Sequence, residues 1–175
     1  MKRRAAALYH DRLQPLHDRK RSFLKAIARL SGNVQSATAA GNDSPDGGLH
    51  AMRTLLESGP CPTAVICVND FMALGVLKAL RECGLRVPED VSVAGFDNLR
   101  LSEFSSPPLT TVNVPRDTIG QAVYGAVFPQ QGAPPILSRD VIIEPDLIVR
   151  ESTGRASRGG QARAGKARRK RVESE

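Results

Sequence analysis

PTAVICVNDFMALGVLKALRECGLRVPEDVSVAGFDN, residues 62–98, passes through three hydrophobic rhythms in succession. TAVICV (63–68) is an unbroken apolar run, as expected of a strand covered on both faces. Met72, Val76, Ala79, Leu80 and Cys83 then fall at helical spacing. Gly84 follows as a helix stop, Pro88 bars continuation, and VSVAGF (91–96) is apolar again. A strand, a helix and a second strand joined this tightly imply a right-handed crossover between parallel neighbours. Both strands end on bare polar residues: Asn69 and Asp70 after the first, Asp97 and Asn98 after the second.

The same alternation extends toward the N-terminus. AAALYH (5–10) reads as a strand ending at His10 and Asp11, and VQSATA (34–39) as a further strand, the weakest of the four. Phe23, Ala26, Ile27 and Leu30 lie on one helical face, as do Leu49, Met52, Leu55 and Leu56. Ser44 is placed to cap the second of these helices, with Pro45 at the first helical position and Asp46 in the first turn. The order β-α-β-α-β-α-β predicts an α/β fold with a doubly wound parallel sheet. Ligands of such sheets bind beyond the carboxyl ends of the strands. Asp97 therefore either faces a small ligand or opens an Asx-turn, and the residues alone leave both readings open.

A chain of 175 residues with 41% hydrophobic residues has room for one domain with a real core. Its net charge of +7 is concentrated at the end: residues 154–175 hold eight basic and two acidic residues. That stretch, GRASRGGQARAGKARRKRVESE, lacks large apolar groups apart from Val172, so a disordered basic tail is expected. KARRKR within it can attract phosphates. AAALY is too short for the apolar core of a signal peptide, and no apolar stretch approaches a membrane span. Three cysteines without CxxC spacing, Cys61, Cys67 and Cys83, suggest a reducing compartment, so a soluble cytoplasmic protein is expected. His10, His17 and His50 have no Cys or acid at metal spacing, and no serine sits in a nucleophile elbow. Gly47-Gly48 and Gly159-Gly160 fit no phosphate-loop pattern. Neither catalysis nor a metal or cofactor is expected.

The opening stretch, followed by PPLTTVNVP (107–115) and DLIVREST (146–153), resembles the sensor domain of LacI/GalR-type (lactose-repressor/galactose-repressor) transcription regulators. The resemblance runs from about Arg3 to Thr153. It implies one lobe of a type I periplasmic-binding-protein-like sensor: residues 1–153 form mostly the second lobe, with 154–175 as the tail. The helix-turn-helix, the hinge helix and the first-lobe sheet of the family are expected outside this chain. By the same resemblance a small effector of the sugar or nucleobase class binds between the lobes, the protein is a homodimer, and operator DNA is gripped only through the N-terminal domain.

Carried over residue by residue, Arg19 in DRKRSFLKAI, Asn69, Asp70 and Asp97 match the family's effector contacts. Asp70 equally suits a first-turn cap for the helix Phe71 to Cys83. Phe71, Leu101 and Phe104 match the dimer seam, whereas Met72, Val76 and Leu80 read as plain core. The chain is expected to cross toward the first lobe at Asn113 to Arg116, add a helix from Asp117 to Phe128, and return through VIIEPDLIVREST. That helix carries an apolar stripe, Ile119, Ala122, Val123, Ala126 and Val127, with nothing evident to cover it. It either associates or melts locally, or else folds back on the single lobe. Trp is absent, so an aromatic platform for a sugar would come from Phe71, Phe96 or the other lobe. Two alternatives stand beside the regulator: a piece of a sugar-capture protein for import on the same fold, and a structural remnant that binds nothing.

Overall fold

The computed structural model describes residues 3–10, 14–29, 34–128 and 141–155. Asp11, the segment PQQGAPP and the tail beyond residue 155 lie outside the described residues. The elements run β1 (Arg3–His10), α1 (Gln14–Arg29), β2 (Val34–Gly41), α2 (Pro45–Ser58), β3 (Ala64–Cys67), α3 (Asp70–Glu82), β4 (Ser92–Asp97), α4 (Arg100–Glu103), β5 (Thr110–Asn113), α5 (Arg116–Val127) and β6 (Asp146–Ile148). They build a six-stranded sheet in the order β2-β1-β3-β4-β5-β6. Neighbours from β2 to β5 are parallel, and β6 closes the far edge antiparallel to β5.

Right-handed crossovers put α1 on one face of the sheet and α2 and α3 on the other. The second face holds the main core. Leu8, Val65, Cys67 and Val93 from the strands meet Met52, Leu55, Met72, Val76 and Leu80 from the helices, and Met72, Val76 and Leu80 are fully buried as their spacing predicts. Cys61 and Cys67 join this core and Cys83 packs against it, all acting as small apolar groups. Burial pushes the Cys61 thiol up to about 12.

Where α2 crosses α3, backbone meets backbone. A Cβ on Gly48 would stand 2.0 Å from the Met72 carbonyl oxygen, and one on Gly75 would stand 1.8 Å from that of Pro45. Ser44 caps α2 by accepting from the Gly47 N–H at 3.1 Å, with Pro45 in the first turn.

β2 differs from the other strands in having little buried surface, since VQSATAAG occupies a sheet edge. Register holds it, with every residue from Val34 to Gly41 paired along β1. Past β5 the body of the lobe stops. None of the residues of α5 is buried, and Ile119, Val123, Tyr124, Val127 and Phe128 are exposed. Among the described residues the lobe does not fold this stripe back into its core.

Candidate functional site

The parallel strands place their carboxyl ends side by side, and a guanidinium from α1 reaches over them. Arg19 lies across the Phe96 ring, its Cζ 3.7 Å from the centroid. Its Nη1 donates to the Val68 carbonyl at 2.6 Å and stands 3.8 Å from Asp97 Oδ1. One side chain thereby spans the ends of β3 and β4, using up only part of its fork of donors. Arg19 and Asp97 remain about a third exposed, at 31% and 29%. Burial lowers the Arg19 pKa, opposed by Asp97 and then Asp43. Burial likewise lifts the Asp97 carboxyl above its ordinary range, with Arg19 pulling against it.

Asp97 and Asn98 both have positive φ, 110° and 50°, a region that side-chain-bearing residues seldom occupy. A dense set of hydrogen bonds holds them there. Arg116 donates to the Asp97 carbonyl at 3.0 Å and to the Asn98 carbonyl at 3.2 Å. The Asn98 N–H donates to Thr111 Oγ1 at 3.3 Å and its Nδ2 to Asn113 Oδ1 at 3.0 Å, while its Oδ1 accepts from Arg150 at 2.9 Å. Asn98 is thus spent on positioning, which leaves the Asp97 carboxylate as the group the turn presents. Backbone held in such sparsely populated regions clusters at functional sites.

Asp70 needs correction as an expected contact. Its carboxylate is fully buried and accepts from Thr111 Oγ1 at 2.6 Å, Ser102 Oγ at 2.6 Å and the Leu99 N–H at 2.8 Å. Gly95 makes the room, because a Cβ there would lie 2.1 Å from Asp70 Oδ1. A carboxylate enclosed by three donors has nothing to offer a ligand; it ties α3 to α4 and β5.

Asn69 takes the capping duty that the sequence offered to Asp70. Its Oδ1 accepts from the Met72 N–H at 2.8 Å at the start of α3. Its Nδ2 donates to Asp43 Oδ1 at 3.2 Å, leaving one N–H for another partner. Asp43, exposed just past β2, is a strand-end carboxylate that the sequence reading missed. It follows a strand end like the other three, and the weak apolar pattern of β2 hid that signal. At the end of β1, His10 pairs with Gly41 in the ladder.

Phe71, Leu101 and Phe104 are exposed, at 40%, 56% and 70%. Asp70 precedes Phe71 and holds Ser102, which Leu101 and Glu103 flank, so one buried carboxylate organises the surface that carries all three.

Together these features give a mostly parallel α/β sheet with polar groups gathered at its strand ends. The periplasmic binding protein-like domain family matches residues 2–153, and the chain belongs to that family. Its relatives place it with the sensor domains of LacI/GalR-type transcriptional regulators. The HTH-type transcriptional repressor PurR of Salmonella typhi is 38% identical over 131 residues, covering 74% of this chain and 38% of that protein. A LacI family transcriptional regulator from Silicibacter pomeroyi superposes with a TM-score of 0.75 at 27% identity, covering 87% of this chain and 56% of that one. The transcriptional regulator CelR in its cellobiose complex gives a TM-score of 0.70 at 30% identity, covering 86% and 47%. The chain spans about two fifths of the length of the curated relatives it matches.

Proposed function

We propose that this lobe is the effector-sensing part of a transcriptional repressor, and that its effector is a polyhydroxylated small molecule of the sugar class. The observation that carries this is the Arg19–Phe96–Asp97 arrangement: a guanidinium stacked on a ring and set beside a carboxylate, both part-exposed, at the carboxyl end of β4. Asp97 accepts from adjacent hydroxyls, Arg19 donates to their oxygens, and the remaining N–H of Asn69 adds a third, fixed contact. Phe96 is committed to Arg19, so the flat face of a nucleobase would find no free ring among these residues. The relative solved with cellobiose supports the sugar class.

The domain proper ends near residue 153, where the family match stops, and the basic stretch after it is a tail. Phe71, Leu101 and Phe104 form the seam of a homodimer whose state the effector sets, and operator DNA is held by a helix-turn-helix outside this chain. The protein acts in the cytoplasm by regulating transcription and carries out no catalysis.

Closure between two lobes buries most of a ligand's surface, and a single lobe supplies half of that enclosure. Titration of the 15N-labelled full chain with neutral mono- and disaccharides should therefore shift the Arg19, Asn69 and Asp97 amides only at millimolar concentration, and Arg19→Ala should abolish the shifts. Micromolar binding would overturn the weak-lobe argument. Shifts at the same amides with adenine or guanine and with no sugar would reassign the effector class.

A further inference from the structure

We infer that Asp43 is a second ligand-facing carboxylate and that it sets the site against anionic effectors. This rests on the sugar-class reading and narrows it to neutral or aminated polyols.

The argument begins with Asn69. Because its Oδ1 is committed to the Met72 N–H, the orientation of its largely buried amide is fixed and its Nδ2 is the group left to meet Asp43. One of its N–H groups is held by Asp43 Oδ1 at 3.2 Å, which keeps the exposed Asp43 carboxylate at the carboxyl end of the strands, the end where Asp97 also lies. The Asp43 charge helps keep Arg19 protonated and opposes ionisation of Asp97. Asp43 has lone pairs to spare beyond the one Asn69 uses.

The presented groups are consequently two acceptor-only carboxylates, Asp43 and Asp97, and two donors, Arg19 and Asn69. Each hydroxyl of a polyol both donates and accepts, so a ring bearing neighbouring hydroxyls satisfies all four. A phosphate or carboxylate only accepts, and leaves two carboxylates facing it. Of the other cations at the site, Arg116 has its guanidinium turned onto the carbonyls of Asp97 and Asn98, and Arg150 donates to the Leu109 carbonyl and to Asn98 Oδ1. An anion therefore meets one available guanidinium and two facing carboxylates.

The test uses a matched pair, glucose and glucose 6-phosphate, followed by amide shifts of the full chain and of Asp43→Asn. The substitution removes the charge, keeps an acceptor for Asn69 and lies at an exposed position; its dispersed spectrum reports that the fold is intact. Glucose is expected to bind at least about tenfold more tightly than glucose 6-phosphate to the native chain. In Asp43→Asn that ratio should fall to within about threefold, with glucosamine losing affinity in parallel. A ratio unchanged by the substitution would mean that shape excludes the phosphate and would overturn the role of Asp43. Binding of glucose 6-phosphate as tight as glucose to the native chain would overturn the anion discrimination while leaving the sugar reading in place. If neither sugar nor glucosamine shifts the cleft amides at any concentration, the sugar-class reading falls and this inference falls with it.

Discussion

Asp97 works against the stability of its own lobe. Because burial lifts its carboxyl above the ordinary range, the folded protein binds a proton there more tightly than the unfolded chain does. The contribution of this group is thus fully present in acid and is lost as the pH rises through the folded-state value, so at neutrality the ionised side chain is a liability. Asp97→Asn should make the lobe more stable at pH 7 in urea unfolding, with the gain vanishing below about pH 4, near the ordinary carboxyl value. The same variant should lose its sugar-induced amide shifts. Asp70 is instead held by three donors that converge on it away from solvent. Asp70→Asn turns an N–H₂ toward those donors and should cost about 3 kcal/mol, read in the same experiment. Sequence alone could not separate these two acids. Each follows an apolar strand, and what distinguishes them is a space opened by Gly95 from a neighbouring strand and a hydroxyl from Thr111 further along the chain.

Local rules made most of the elements legible. The runs at 63–68 and 91–96 become β3 and β4, and the helix between them runs from Asp70 to Glu82, one residue earlier at each end than its apolar spacing suggested. Its start moved because Asn69, and not Asp70, is the cap. β5 and β6 carry no periodic signal of their own: with Thr110 and Thr111 buried by side-chain hydrogen bonds and only three residues in β6, pairing defines them. The α2–α3 crossing was not legible either, because no local pattern marks Gly48 and Gly75 as points of close backbone approach. Gly75→Ala should lower stability by about 2–3 kcal/mol, as overpacked cores do. Gly120→Ala in α5, where an added Cβ meets nothing within 4 Å, should be neutral or stabilising by up to about 1 kcal/mol. Thermal unfolding of the pair separates a steric cost from helix propensity.

Taken whole, the lobe ends in surface that its own core does not use. Val123, Tyr124 and Val127 on α5, Phe128 just after it, and Leu147 and Val149 around β6 are all exposed. Exposed apolar groups in this number favour association. Sedimentation velocity should show concentration-dependent oligomers that Val123→Glu with Val127→Glu reduces, with the melting temperature of the lobe unchanged because α5 lies outside its core. Persistence of the oligomer in that variant, together with its loss in Phe104→Glu, would assign association to the seam at Phe71, Leu101 and Phe104 instead.

The turn at Asp97 and Asn98 bears on how such a sensor converts occupancy into movement. Asn98 is bonded to Asn113 in β5 and Arg116 in α5, which bound the segment where the family resemblance has the chain cross between lobes, and to Arg150 after β6, on the segment by which it returns. The residue beside it presents the carboxylate. On the sensing role proposed above, the ligand contact and the crossing segments would share one pair of peptide units. A substitution at Asn98, Arg116 or Arg150 should then alter the response to an effector while the ligand's own contacts stay as they are.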